Sequence, residues 1–199
     1  MDIYKNILNF FFEVGAAERI QRTGPWVYGV ADAETIAEHC YRVAIITFVL
    51  ATMEKADVTK LTLYSLFHDI HEIRLLDRNS ISQRYMETPN SVVDAVRTDQ
   101  FKPLGDDVFK KFSEVLELSD AEFLLVKDAD YIEDGLRARE HAENGMRGME
   151  HWIDEIEGII QTESAKKLWK HIRTTSSIDW ALLAKQTSEE MKRDYLNKK

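Results

Sequence analysis

The sequence predicts an all-α protein, and three observations carry that prediction. Apolar residues recur at helical spacing along most of the chain, two capping-box patterns mark helix starts, and glycine and proline number only eight and three in 199 residues. A turn-rich all-β protein would need more turn formers. No linker, low-complexity tract or internal repeat divides the chain, so we expect a single domain over residues 1–199, a bundle of about six to nine helices.

The elements follow in order. Residues 3–17 place Ile3, Ile7, Phe10, Phe11 and Val14 on one side of a helix, and the run Arg19 to Pro25 ends it in a loop carrying two arginines. Thr35 and Glu38 form a capping box that opens a helix through about residue 53, with His39, Val43, Ile46 and Leu50 at helical spacing. Thr59 is positioned to cap a third helix, whose inward residues Leu63, Leu66, Phe67 and Ile70 surround His68 and Asp69. Residues 74–103 are irregular, with a turn at Thr88-Pro89-Asn90. Residues 104–118 return to a helical pattern, and Ser119 with Glu122 opens a long helix ending near Gly145. Amphipathic stretches at 147–161, 164–173 and 178–196 carry Trp152, Trp169, Trp180 and Leu183 as packing anchors; these C-terminal helices would lie on the bundle or on a partner subunit.

Composition limits the function. The 44% hydrophobic content is ordinary for a soluble globule, and a formal net charge of −9 disfavours general attraction to nucleic acid or an anionic membrane. A basic pocket inside an acidic surface would still admit small anionic substrates. Cys40 is the single cysteine, so no intrachain disulfide forms. The stretch Ile7 to Phe12 is too short to span a membrane, no other apolar run reaches membrane length, and no cleavable signal is present; a cytoplasmic location is expected.

Four side chains stand out: His39, the adjacent pair His68-Asp69, and Asp130. Imidazole nitrogens and carboxylate oxygens together suit a divalent transition metal, and such a set points to hydrolysis by a water activated at the metal. Each has a plainer reading, His39 as a hydrogen-bonded core histidine and Asp130 as the partner of Lys127. Asp128 competes with Asp130, because two steps along a helix turn a residue by about 200°, so one of the two is expected to face inward and not both. His71 and Glu72 follow His68 by three and four residues on the same helix face. The order His-x-x-His-Glu is not that of the zinc-protease helix, which needs the glutamate between its two histidines. Glu72 better suits a base that orients a water and takes its proton, or a solvent-facing partner of Arg74 or Arg78.

The runs Ala37-Glu38-His39, Leu66 to Glu72 and Val126 to Asp130 together resemble the HD-domain phosphohydrolases in order, spacing and helical context. The resemblance extends from about residue 3 to 145, and is closest to the small 5′-deoxynucleotidase-type proteins. It implies an all-helical HD bundle, commonly dimeric, that removes phosphate from deoxyribonucleoside 5′-monophosphates with one divalent ion per chain; Mn, Co, Ni, Zn and Fe all suit such ligands. By the resemblance the ion is held by His39, His68, Asp69 and Asp130, the last preferred to Asp128 on the Lys-x-Ala-Asp pattern. Glu72 matches a catalytic carboxylate, and Asp77 a group serving the leaving oxygen. Arg22 and Trp26 match the phosphate arginine and a tryptophan beside the sugar, Trp26 being equally suited to the core. Arg84 and Arg74 are alternative phosphate contacts. Three departures are visible: Leu76 replaces the usual glycine before Asp77, Pro25 is inserted between Gly24 and Trp26, and the segment from Trp26 to His39 is one residue short.

The expected activity is therefore hydrolysis of (deoxy)ribonucleoside 5′-monophosphates. The partners expected are a small nucleotide or other phosphate ester and a second copy of the chain in a homodimer, with neither nucleic acid nor membrane. Another phosphate ester, a phosphodiester or a nucleoside triphosphate as substrate, or a nonenzymatic nucleotide sensor, would use the same metal set.

Overall fold

A computed structural model describes residues 2–197; Met1, Lys198 and Lys199, at the ends of the expected domain, lie outside the described residues. The longest helix, α8 (Asp120–Glu143), forms the axis of the fold. It packs against α2 (Ile36–Glu54), which in turn packs against α3 (Val58–Phe67). Both capping boxes form as expected, Thr35 with Glu38 and Ser119 with Glu122, so the two central helices start where their side chains satisfy the first free N–H groups. Helix α9 (Met149–Glu157) packs on α8, and α10 (Glu163–Trp169) packs on both α8 and α2. Val43 and Leu50 of α2, Leu61 of α3, Ala129 and Ile132 of α8, Met149 and Ile153 of α9 and Trp169 of α10 share one apolar core. A Cβ on Gly135 would lie 2.4 Å from the Trp169 ring, so α10 reaches this depth only because α8 carries glycine there.

A second core joins α1 (Ile3–Val14) to the far end of the molecule. Ile7 and Phe10 pack on Ile70, Phe101, Leu104 and Phe112. Between α3 and this core the chain makes two single-turn helices, α4 (Glu72–Leu75) and α5 (Ser80–Gln83), then α6 (Asn90–Phe101) and α7 (Asp106–Leu116). The last helix, α11 (Asp179–Asn197), completes eleven α-helices among the described residues, nine of them seven residues or longer. Their only β-type pairing is one isolated bridge between Gln21 and Thr35.

Several local expectations change. Residues 90–101, read as irregular, form α6; only Gln100 and Phe101 of this helix are buried, so it lacks the apolar stripe that periodicity detects. Asp57, not Thr59, caps α3 by accepting from the Lys60 N–H. The buried face of α3 is Leu61 and Ser65, whose hydroxyl meets Thr47 at 2.7 Å, while Leu63 and Leu66 point outward. Ile3, Phe11 and Val14 of α1 are likewise exposed. Trp169 is buried and Trp152 half-buried, whereas Trp180 and Leu183 are exposed. Helix α2 is long and apolar enough by composition to cross a membrane, with mean hydropathy 1.4 over its best window, contrary to the expectation of no such run. Its buried His39 and Thr47 and its packing on α3 and α8 are those of a core helix.

Asp128 and Asp130 are both buried, against the expectation that only one faces inward. The 200° argument holds for direction but not for burial, because α8 has protein on both sides. Asp128 points to the start of α10, where it accepts from the Gln161 N–H at 3.1 Å and the Thr162 N–H at 2.6 Å. Asp128→Ala strands these donors and should destabilise the protein by about 2–3 kcal/mol. Urea unfolding measures this; an unchanged midpoint would contradict the assignment.

Candidate active site

Helix α2 delivers His39 one turn from its start, α3 ends at His68 and Asp69, and α8 carries Asp130 at its middle. Their donor atoms converge. His39 Nε2 is 3.2 Å from Asp130 Oδ1 and 3.7 Å from Asp69 Oδ2, and His68 Nε2 is 3.1 Å from Asp69 Oδ2. Neighbouring ligands bonded at about 2.1 Å around one ion stand about 3.0 Å apart in octahedral and about 3.4 Å apart in tetrahedral geometry, so these separations fit a shared divalent cation. His39 Nε2, His68 Nε2 and Asp130 Oδ1 are buried with no hydrogen-bond partner, a costly arrangement unless a ligand completes it. The four side chains thus fit the ion suggested by their chemistry.

The imidazoles are oriented from behind. Ser65 O lies 2.6 Å from His68 Nδ1, and Glu133 Oε2 lies 2.8 Å from His39 Nδ1. A proton on each Nδ1 leaves each Nε2 with its lone pair toward the cluster. Arg97 of α6 donates to the His68 carbonyl at 2.6 Å and fixes the end of α3. Glu133, Asp134, Arg97 and Ser65 were not singled out in the sequence. Glu133 was detectable in principle, three residues after Asp130 and so on the same helix face.

A cavity of about 450 Å³ opens over the cluster. Asp69, Glu72, Asp77, Asp130 and Arg22 line it. Arg22 is held by backbone pairing of its own N–H with Glu34 O at 2.8 Å, and its guanidinium meets Asp134 at 3.1 Å and Asp69 at 3.9 Å. Asp77 accepts from the Thr23 N–H, which ties the arginine loop to the segment after α4. Leu76, in the place of the family's glycine, has φ 64° and ψ 152°, a backbone conformation that glycine adopts freely and leucine does not. The chain keeps the turn and bears the strain.

Three expected contacts are not brought to the cavity. Trp26 is 67% exposed and off its wall. The inserted Pro25 starts a 3₁₀ turn over Pro25–Tyr28, in which residues three apart share a face; Pro25 is buried, Trp26 turns outward, and Tyr28 takes the inward place. Arg84 follows Ser80 and Gln83, the two residues of α5 that reach the cavity, and its own side chain is exposed. Arg74 is engaged by Glu13, at 2.6 and 2.9 Å. Arg78 lines the cavity instead, donating to Met86 O at 2.7 Å. Tyr28, Trp152, Ile156 and Ile159 give the cavity its aromatic and aliphatic lining. Tyr28 and Trp152 stack at 5.5 Å, and the Tyr28 hydroxyl donates to Glu155 at 2.6 Å.

Charge is crowded here. Burial pushes the Glu72 carboxyl up, and the neighbouring Asp69 and Asp77 push it further, to about 9. Burial likewise raises Asp134, to about 7, against the pull of Arg22. Burial and Arg22 both oppose charge on His39, yet the nearby Asp130 carboxylate and the hydrogen bond to Glu133 prevail and raise it to about 10. For Asp130, burial is outweighed by Lys127, 2.6 Å away, and by His39, so it stays well below the usual carboxylate range.

A helical bundle that converges two imidazoles and two carboxylates beneath an open polar cavity has the make-up of a metal-dependent hydrolase. The sequence matches the HD domain family over residues 14–194, and the chain belongs to that family; it is an HD metal-dependent phosphohydrolase. It is similar to the 5′-deoxynucleotidase HDDC2 of Dictyostelium discoideum, 29% identical over 149 residues, which cover 68% of this chain and 77% of the relative. Its fold resembles that of a conserved hypothetical protein from Pyrococcus furiosus, with TM-score 0.65 and 24% identity over 84% of this chain and 99% of the other. It also resembles the HD phosphohydrolase DatZ of cyanophage S-2L, solved with dA and one catalytic Zn²⁺ ion, with TM-score 0.50 and 18% identity over 82% and 96% of the two chains.

Two predictions follow from this geometry. His39 keeps its proton up to about pH 10 and Glu72 up to about 9 when no ion is bound, so a divalent ion must displace protons. Affinity should therefore rise with pH from about 6 to 9, with proton release seen by calorimetry in buffers of different ionisation enthalpy; a pH-independent affinity would contradict the charge assignment. Leu76→Gly relieves the positive φ at an exposed position and should raise stability by about 1 kcal/mol in urea unfolding. A loss of stability would mean that the leucine side chain contributes more than its backbone costs.

Proposed function

We propose that the protein is a 5′-nucleotidase that hydrolyses (deoxy)ribonucleoside 5′-monophosphates, deoxyribonucleotides above all, to nucleoside and phosphate. One observation carries this reading: a single cavity is lined by Asp69 and Asp130 of the metal-type donor set, by Glu72 and Arg22, and also by Tyr28, Trp152, Ile156 and Ile159. A phosphate needs the charged groups and an aromatic, partly apolar nucleoside the aromatic and aliphatic ones. The activity in the name of the Dictyostelium relative and the dA in the phage neighbour support the same substrate class.

His39, His68, Asp69 and Asp130 would hold the ion, which supplies Lewis acidity, offsetting phosphate charge and making a water more acidic. The chain's own groups do the rest. Arg22, whose Nε is buried without a partner, donates to the nonbridging oxygens. Glu72, with one carboxylate oxygen buried and unpartnered, orients the attacking water and takes its proton. Without the ion this carboxyl holds its proton up to about 9, and beside the charge of the bound ion it would be freed as the carboxylate that accepts the proton of the water. Asp77, one of whose oxygens accepts from the Thr23 N–H, serves the departing 5′ oxygen, which is protonated at the expense of the proton taken from the attacking water. Exposed apolar residues on one side of α2, Tyr41, Ile45, Phe48 and Val49, support the homodimer as the form in which it works.

Phosphate release from a panel of nucleoside monophosphates, triphosphates and phosphodiesters, with metal-stripped protein refilled by single ions, tests the reading. Deoxynucleoside monophosphates should be the best substrates, and Glu72→Ala should lower kcat by about 10²- to 10⁴-fold. Trp152→Ala should raise KM for nucleotides while leaving hydrolysis of p-nitrophenyl phosphate nearly unchanged. Preference for a triphosphate or diester would overturn the substrate assignment, and a fully active Glu72→Ala the role of Glu72.

A further inference from the structure

Glu133 touches neither the cavity nor the converging donor atoms, yet it is among the most completely buried charged residues described, with 0% exposure. Its two oxygens have separate tasks. Oε2 faces His39 Nδ1 at 2.8 Å, and Oε1 accepts from Arg42 Nε at 2.9 Å, with a second Arg42 nitrogen at 2.8 Å. Arg137 Nε stands 3.5 Å away on the same side. Arg42 is itself anchored by Glu140 at 2.7 Å.

This arrangement has a chemical meaning. A buried carboxylate survives as an anion only when paired, and here the guanidiniums of Arg42 and Arg137 supply the pairing from one side. The other side is left to accept a proton-bearing nitrogen. An imidazole whose Nδ1–H is held by a carboxylate has its Nε2 lone pair fixed in direction and made more electron-rich. His68 differs, since its Nδ1 faces a neutral carbonyl, that of Ser65. The two imidazoles are therefore not equivalent.

We infer that Glu133 is a positioning residue for the metal centre, locking His39 with its proton on Nδ1 and strengthening it as the better of the two imidazole donors, with Arg42 holding Glu133 in place. This rests on the reading of His39 as a metal ligand, and the experiment separates the two. Wild type, Glu133→Gln and His39→Ala are titrated with Co²⁺ and followed by the visible absorption of the bound ion. Glu133→Gln should bind about 10- to 100-fold more weakly at unchanged one-to-one stoichiometry, with its absorption bands shifted. Affinity within about twofold of wild type would overturn the inference while leaving the ligand reading intact. If His39→Ala binds as tightly as wild type, the ligand reading fails and the inference falls with it. Loss of a buried charge can prevent folding, so a second measurement uses the unaltered protein. In the Zn²⁺-loaded wild type, imidazole ¹⁵N correlations should place the His39 proton on Nδ1 and the metal on Nε2. The reverse arrangement would overturn the inference whatever the variant does.

Discussion

The structure depends on how it keeps negative charge away from water. Glu34, Asp128, Asp130, Glu133 and Asp134 are all buried, and four of the five belong to the central helix. An isolated carboxylate cannot stay ionised in such surroundings, so each needs a counter-charge or a set of donors. Asp128 has the N–H groups at the start of α10, Asp134 has Arg22, and Glu133 has Arg42 and His39. Asp130 has Lys127 on one oxygen, but its other oxygen faces only the two histidines and lacks a hydrogen bond. Glu34 also lacks hydrogen bonds and has only Arg137, 3.7 Å away, but at Asp130 the free oxygen meets two free imidazole nitrogens, and that meeting marks the place where a cation belongs. Packing around α8 and the chemistry of the cleft are thus consequences of one electrostatic constraint.

The constraint also explains how the peripheral elements serve the site. Helix α6 looks dispensable by burial, yet Arg97 from it fixes the His68 carbonyl, and Gln100 donates to the carbonyl of Ile70. Helix α9 closes the core with Met149 and Ile153 and turns Trp152 and Ile156 toward the cavity. The strained turn at Leu76 places Asp77 against the arginine loop. A backbone held at positive φ by a leucine costs about 1–3 kcal/mol, so its persistence beside the cleft is consistent with a functional demand on Asp77.

What could be read from the sequence was what is local. Capping boxes and the position of His39 on α2 depend on residues within one turn of each other, and the structure agrees with both. The cluster of His39, His68, Asp69 and Asp130 was legible because each sits in a short distinctive run. Other features depend on contacts distant in sequence. Asp128 reads as a competitor of Asp130 until the start of α10, some thirty residues on, is seen to need its carboxylate. Trp26 lies off the cavity, on the outward side of the 3₁₀ turn that Pro25 starts, and Trp152, which lines the cavity, is indistinguishable in sequence from an ordinary packing residue. Glu133 hides in a helix rich in acidic residues, most of which could face solvent.

The central claim is that this buried, under-compensated cluster is a single cation site. Anomalous diffraction from crystals grown with Mn²⁺ tests it most directly. The account predicts one strong peak within bonding distance of His39 Nε2, His68 Nε2, Asp69 and Asp130, with Glu133 and Asp128 outside its coordination. A peak centred on Glu34, Glu133 and Asp134, or none near the two histidines at saturating Mn²⁺, would contradict it.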